Sequence, residues 1–169
     1  TDDAESEGYD RPHMRLPENQ LALTDALIKT GKKIVLMLFG GAPVELPFAD
    51  RVSAILHMYL PGQSGGRACA NLLYGRANPG GKLAETWPLS YADVPFGDQF
   101  GRESREVYRE SIFVGYRYYA SAGVPVRYPF GYGLSYTSFQ VRDMQTVRSG
   151  EAVSVTCTVQ NTGERTVCM

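Results

Sequence analysis

Ile34-Val35-Leu36-Met37-Leu38-Phe39, bounded by Lys32-Lys33 and Gly40-Gly41, is the stretch that decides the fold. A continuous apolar run of strand length between such flanks predicts a central parallel strand buried on both faces. Upstream, Pro17 suits the first turn of a helix. Leu21, Ala22, Leu23, Ala26, Leu27 and Ile28 give that helix an apolar face, and Gly31 stops it. Downstream, Ala54-Ile55-Leu56-His57-Met58-Tyr59 reads as a second strand leading into Pro61-Gly62-Gln63-Ser64-Gly65-Gly66. A small-residue helix follows from about Arg67 to Tyr74, ended by Gly75. Asn78-Pro79-Gly80-Gly81 makes a turn, and Lys82-Leu83-Ala84-Glu85-Thr86 reads as a third strand. Helix, strand, loop, strand, helix and strand in this order is an α/β pattern.

The second half has another character. Residues 88–136 are rich in Gly, Pro and aromatics and show little periodicity. They end in Tyr128-Pro129-Phe130-Gly131-Tyr132-Gly133-Leu134-Ser135-Tyr136-Thr137, which holds four aromatics and two glycines. That run is too aromatic for a solvated loop and too rich in Gly and Pro for regular structure, so it reads as a rigid connector. From Phe139 the period becomes two. Val153, Val155, Cys157 and Val159 alternate with Ser154, Thr156, Thr158 and Gln160, which predicts a half-buried antiparallel strand before a turn at Asn161-Thr162-Gly163. A hairpin about that turn would set Cys157 opposite Cys168, where a cross-strand disulfide is conceivable. One or two strands do not make a stable sandwich, and residue 1 stands in a polar loop, so both ends read as cut.

Composition narrows the function classes. The 169 residues are 43% hydrophobic and 21% charged with a net charge of −1, ordinary for a folded chain. Acids and bases are interspersed, so neither a nucleic-acid partner nor a polybasic membrane surface is expected. No apolar run approaches the ~20 residues that span a bilayer. The segment carries no signal that assigns a compartment. The 11 tyrosines, most of them between Tyr91 and Tyr136, suit either a sugar platform or packed aromatic loops.

The chemistry-bearing residues are few. Gly62-Gln63-Ser64-Gly65-Gly66 lacks the ending and spacing of a phosphate loop, and its glycines read as close strand-to-helix packing. His13 and His57 are the only histidines, with no third ligand at a metal spacing, so no metal site is expected. His57, in an apolar strand, reads as a satisfied core residue. No serine stands in a nucleophile elbow. Glu5 and Glu7 lie in a loop with Gly8, Tyr9, Asp10 and Arg11. A loop carboxyl beside aromatic surface suits proton donation. The same residues also read as a solvated acidic segment with Asp10 and Arg11 as a structural ion pair.

Several motifs in order resemble glycoside hydrolase family three, the β-glucosidase and β-xylosidase family. They are Glu7-Gly8-Tyr9-Asp10-Arg11, Leu16-Pro17-Glu18-Asn19-Gln20, Gly41-Ala42-Pro43-Val44-Glu45-Leu46-Pro47-Phe48 and Tyr59-Leu60-Pro61-Gly62-Gln63-Ser64-Gly65-Gly66. Asn78-Pro79-Gly80-Gly81-Lys82-Leu83, Thr86-Trp87-Pro88, Ile112-Phe113-Val114-Gly115-Tyr116-Arg117-Tyr118-Tyr119 and the aromatic run through Thr137 follow. Val155 to Gly163 is similar to the start of the family's fibronectin-type-III-like domain. Gly40-Gly41 replaces the family's frequent Asn-Gly, and Phe48 its frequent Trp.

The resemblance implies a partial parallel-sheet α/β sandwich over residues 1–100, an aromatic connector over 101–138, and the first strands of an all-β fibronectin-type-III-like sandwich over 139–169. It implies an N-terminal (β/α)8 barrel of the same protein as partner, carrying the nucleophilic aspartate. The reaction implied is retaining hydrolysis of a terminal β-linked sugar from an oligosaccharide or glycoside, without cofactor or metal. Carried over residue by residue, the acid/base is Glu7, with Glu5 as fallback and Asp10 and Arg11 orienting the loop. β-Glucosidase is the first expectation. β-Xylosidase and α-arabinofuranosidase activities stay open because the barrel sets sugar choice, and a chain without the barrel is expected to be inactive. The alternative is a non-catalytic carbohydrate-binding or structural accessory domain.

Overall fold

Helix α1, Glu18–Lys29, starts where Pro17 caps it with extended ψ and ends at Thr30, one residue before Gly31. Pro17 therefore stands at the cap itself, where its missing N–H costs nothing. A computed structural model of the chain describes residues 7–8, 11–99, 101–102, 104–105 and 107–166. Two compact units are formed, one from Thr1–Gly65 with Lys82–Tyr132, the other from Gly66–Gly81 with Gly133–Met169.

In the first unit, strands β1 (Val35–Leu38) and β2 (Ala54–His57) pair in parallel, Val35 opposite Ala54 and Leu38 opposite His57. The parallel pairing agrees with the sequence, but burial on both faces does not. Leu36, Leu38 and Ile55 pack on a core of Leu46, Phe48 and Trp87, together with Leu21 and Ile28 of α1. Val35 and Phe39 stay 41% and 58% exposed. Alternate residues of a strand point to opposite faces, and on the face away from this core Val35 is exposed while Met37 and Leu56 are half-buried.

The expected third strand over residues 82–86 is not a strand. Leu83 donates its N–H to Tyr132 O and accepts from Gly131 N–H, each at 2.8 Å, which ties it to a turn. The strand here is β3, Trp87–Pro88, and it pairs antiparallel with β4, Val126–Tyr128. It therefore adds nothing to the parallel pair. Trp87 is 2% exposed, the largest fully buried side chain. Its ring meets Tyr128 at 6.2 Å edge-on, and Tyr128 stacks on Tyr132 at 4.9 Å. Helix α3, Tyr116–Ala122, lies in the stretch that showed no periodicity, and Tyr116 stacks on Phe130 at 4.8 Å.

The second unit holds most of helix α2, Gly65–Leu73, which starts two residues earlier than the sequence suggested. The glycines before it divide the work. Gly62 adopts φ +65, while a Cβ at Gly65 would lie 2.8 Å from Cγ of Pro61. Asn78 Oδ1 accepts from Ser135 Oγ at 2.9 Å and Tyr136 N–H at 2.8 Å, fastening the end of the aromatic run.

Strands β5 (Phe139–Ser149) and β6 (Ala152–Asn161) then form one long antiparallel hairpin turning at residues 150–151. The half-buried reading of β6 is corrected, since Val153 and Val155 are each 59% exposed with no second sheet over them among the described residues. The chain is thus an α/β segment followed by an antiparallel hairpin. Cys157 is exposed on β6, beside the register shift between Arg142 and Gln145, and Cys168 lies outside the described residues.

Candidate acid/base site

The carboxyl ends of parallel strands are where α/β sheets collect ligands and reactive groups, because the loops leaving each strand converge there. In this chain β1 and β2 end at Leu38 and His57, and Gly40 N–H donates to Tyr59 O at 3.2 Å. The loop after β1 carries Pro43, whose carbonyl accepts from Arg11 Nη2 at 3.0 Å. Arg11, the trailing residue of the acidic motif, is thereby fixed at this edge. Glu7 and Gly8 form an exposed turn, with Gly8 at φ +78. Glu5 and Asp10 lie outside the described residues. Of the expected site, the structure therefore places a solvent-facing Glu7 and an anchored Arg11.

Two side chains at this edge escaped the sequence reading. Glu85 is half-buried, and burial pushes its carboxyl above the usual range while the Arg11 guanidinium pulls it down. The signal available was its place directly before the buried pair Thr86-Trp87. Tyr59, just past β2, takes φ +49 and accepts from Ala84 N–H at 3.2 Å through its hydroxyl. A side chain with Cβ enters that region only when its surroundings hold it there.

His57 closes β2 between two rings, 4.0 Å from Tyr59 and 5.0 Å from Trp87. It is packed as expected, but it is not satisfied, because both its nitrogens and the Trp87 indole nitrogen are buried without a hydrogen-bond partner. Burial holds the imidazole pKa below 6.5. The unfolded chain therefore takes up a proton near pH 6.5 that the folded chain refuses, and stability falls as pH drops through that value. His57→Phe keeps a ring and removes the titration. In melts from pH 8 to 5, Tm of the variant is expected to lose less on acidification than the parent's. Parallel acid losses would remove His57 from this account.

Comparison with known proteins identifies the class as a segment of a glycoside hydrolase. Residues 1–136 match the glycosyl hydrolase family 3 C-terminal domain, and the chain belongs to that family. It is 44% identical over 168 residues to thermostable β-glucosidase B of Acetivibrio thermocellus, covering 96% of this chain and 22% of that protein. It is 39% identical over 163 residues to the exo-α-(1→6)-L-arabinopyranosidase of Bifidobacterium longum, covering 95% of this chain and 22% of that one. The crystal structure of Kluyveromyces marxianus β-glucosidase superposes with a TM-score of 0.91 at 38% identity, covering 95% of this chain and 19% of that one. The chain thus spans about a fifth of the length of the relatives it matches.

Proposed function

We propose that this chain is the acid/base-bearing part of a retaining exo-β-glycosidase, first of all a β-glucosidase, acting on terminal β-linked sugars of oligosaccharides or glycosides. Glu7 gives its proton to the departing glycosidic oxygen, then accepts one from the water that releases the sugar. Glu5 is the fallback donor on the same loop, and Asp10 and Arg11 orient it. The nucleophile belongs to an N-terminal (β/α)8 barrel of the same protein. The carboxyls of a retaining pair stand about 5–5.5 Å apart, so the barrel must close directly on this loop. Residues 1–100 are the later part of the α/β sandwich domain, 101–138 the aromatic connector and 139–169 the start of a fibronectin-type-III-like domain. The scheme uses neither cofactor nor metal.

The observation that carries this reading is the exposed Glu7 turn with Arg11 held on Pro43 O, at the carboxyl end of the parallel pair in a chain of this family. Exposure here suits a group that another domain must reach. The test is hydrolysis of a β-glucoside by the longest reading frame containing the segment, followed by NMR of the first-formed sugar. The β-anomer is expected, with kcat/KM for the β-glucoside above that for a β-xyloside or an α-L-arabinopyranoside. Release of the α-anomer, or no hydrolysis of any of the three, would overturn the reading.

A further inference from the structure

The tyrosines left two readings open, a sugar platform or packed loops, and several of them pack. Tyr116 stacks on Phe130, Tyr128 stacks on Tyr132, and Tyr118 meets Tyr119 edge-on. Tyr108 does not. It is 84% exposed, and neither it nor Phe96 stacks on another ring among the described residues. Both rings line a cavity of about 410 Å³, together with Tyr91, Gln99, Arg105 and Glu110. That volume lies within the roughly 300–1,000 Å³ of small-molecule sites.

One wall of the cavity is fixed by its own hydrogen bonds. Ser90 caps the short turn Tyr91–Asp93, its N–H donating to Asp93 Oδ2 at 3.0 Å. Tyr91 gives its N–H to Glu45 Oε1 at 2.9 Å and its hydroxyl to Gly97 O at 2.8 Å. Glu45 lies on the loop after β1 that also holds Arg11 through Pro43, so this wall and the acid motif share an anchor. Phe96 takes φ +56. A residue with a Cβ stays in that region only where its surroundings hold it, and such residues collect at ligand clamps. On the other wall Ser111 N–H donates to Tyr108 O at 3.3 Å, closing a turn that leaves the Tyr108 ring facing solvent.

The lining selects among ligands. Aromatic faces cover the apolar C–H face of a pyranose, while Arg, Glu and Gln side chains supply donors and acceptors for its hydroxyls. Arg105 and Glu110 carry opposite charges, so a charged ligand meets repulsion beside attraction and a neutral polyhydroxylated one does not. We propose that this cavity binds one pyranose of a β-linked gluco-oligosaccharide, seated on Tyr108 and Phe96, with Arg105, Glu110 and Gln99 on its hydroxyls. The sugar class rests on the β-glucosidase reading above, and the role of Glu7 does not enter.

The test titrates thio-linked cellotetraose, whose bridging sulfurs resist hydrolysis, into the full-length protein and into Tyr108→Ala, Tyr108→Phe and Arg105→Ala, read by calorimetry. Tyr108→Ala is expected to raise Kd about 5- to 30-fold, the scale of truncating an aromatic anchor. Arg105→Ala should weaken binding too. Tyr108→Phe should bind like the parent, and Tm of Tyr108→Ala should hold because the ring is exposed. One tetraose per protein would mean that the cavity holds a further unit of the chain being hydrolysed, and kcat/KM on cellotetraose should then fall while that on a nitrophenyl β-glucoside stays. Two per protein, falling to one in Tyr108→Ala, would mean a separately held saccharide, and either result supports the site. Parental Kd and stoichiometry in both alanine variants would overturn the proposal. So would a parent that binds no tetraose, or an equal loss in Tyr108→Phe with a lower Tm. Hydrolysis of the nitrophenyl β-glucoside judges the function separately: turnover beside unchanged tetraose binding fails the cavity alone, and no turnover fails the β-glucosidase reading.

Discussion

Glu7→Gln in the longest reading frame containing this segment is expected to lower kcat/KM for an alkyl β-glucoside by roughly two to four decades. The leaving alkoxide is too basic to depart unprotonated, so this substrate needs the acid in its first step. A dinitrophenolate leaves without help, so kcat/KM for that glucoside should fall far less. Its second step still needs a base to activate water, and a glycosyl-enzyme should therefore accumulate, seen as a burst of phenol with a lowered kcat. Added azide, a nucleophile that needs no deprotonation, should restore turnover and yield the β-glucosyl azide. Gln keeps the shape of Glu in an exposed turn, so Tm should hardly move. If both substrates turn over at wild-type rates, the donor is Glu5 or lies outside this chain.

The readable parts of this chain are those where one physical signal dominates. Helix α1 was legible because Pro17 and Gly31 bracket apolar residues at helical spacing. The parallel pair was legible because a continuous apolar run admits few other placements. Helix α3 was not, because three of its first four residues, Tyr116, Tyr118 and Tyr119, are weak helix formers, and only Tyr119 is buried, at 8%. Residues 82–86 misled for the opposite reason: Leu83 and Ala84 look strand-like, yet contacts to Gly131, Tyr132 and Tyr59 decide their backbone. Strand β5 begins at Phe139, where the period of two was read to start, and what the sequence did not mark is the register shift at which Asp143 takes φ +55.

The site shows the same division. The motif residues Glu7 and Arg11 could be picked out by resemblance, since they stand within one five-residue motif. What anchors Arg11 could not, because the Arg11–Pro43 bond joins residues 32 apart. Loop chemistry is written locally, and its support is written in the tertiary fold. The relatives sharpen this point. A β-glucosidase and an α-L-arabinopyranosidase are similar to the chain to nearly the same degree, at 44% and 39% identity. The segment is thus similar to parts of proteins whose names give different sugars.

The largest stability effect is expected at Trp87, not at the acid loop. Trp87, Leu46 and Phe48, at 2%, 3% and 2% exposure, are the centre on which α1, the parallel pair and Tyr128 all pack. Trp87→Ala removes the largest of these side chains and leaves a cavity that fixed neighbours cannot refill, which costs about 3–5 kcal/mol. The loss is read by calorimetry on the full-length protein as a fall in the Tm of the transition that melts this core. Trp87→Phe should cost much less, for two reasons that act together. It retains a ring against His57 and Tyr128, and it deletes an indole N–H that is buried without a partner. A cost below about 1 kcal/mol for Trp87→Ala would mean that the core collapses onto the vacancy.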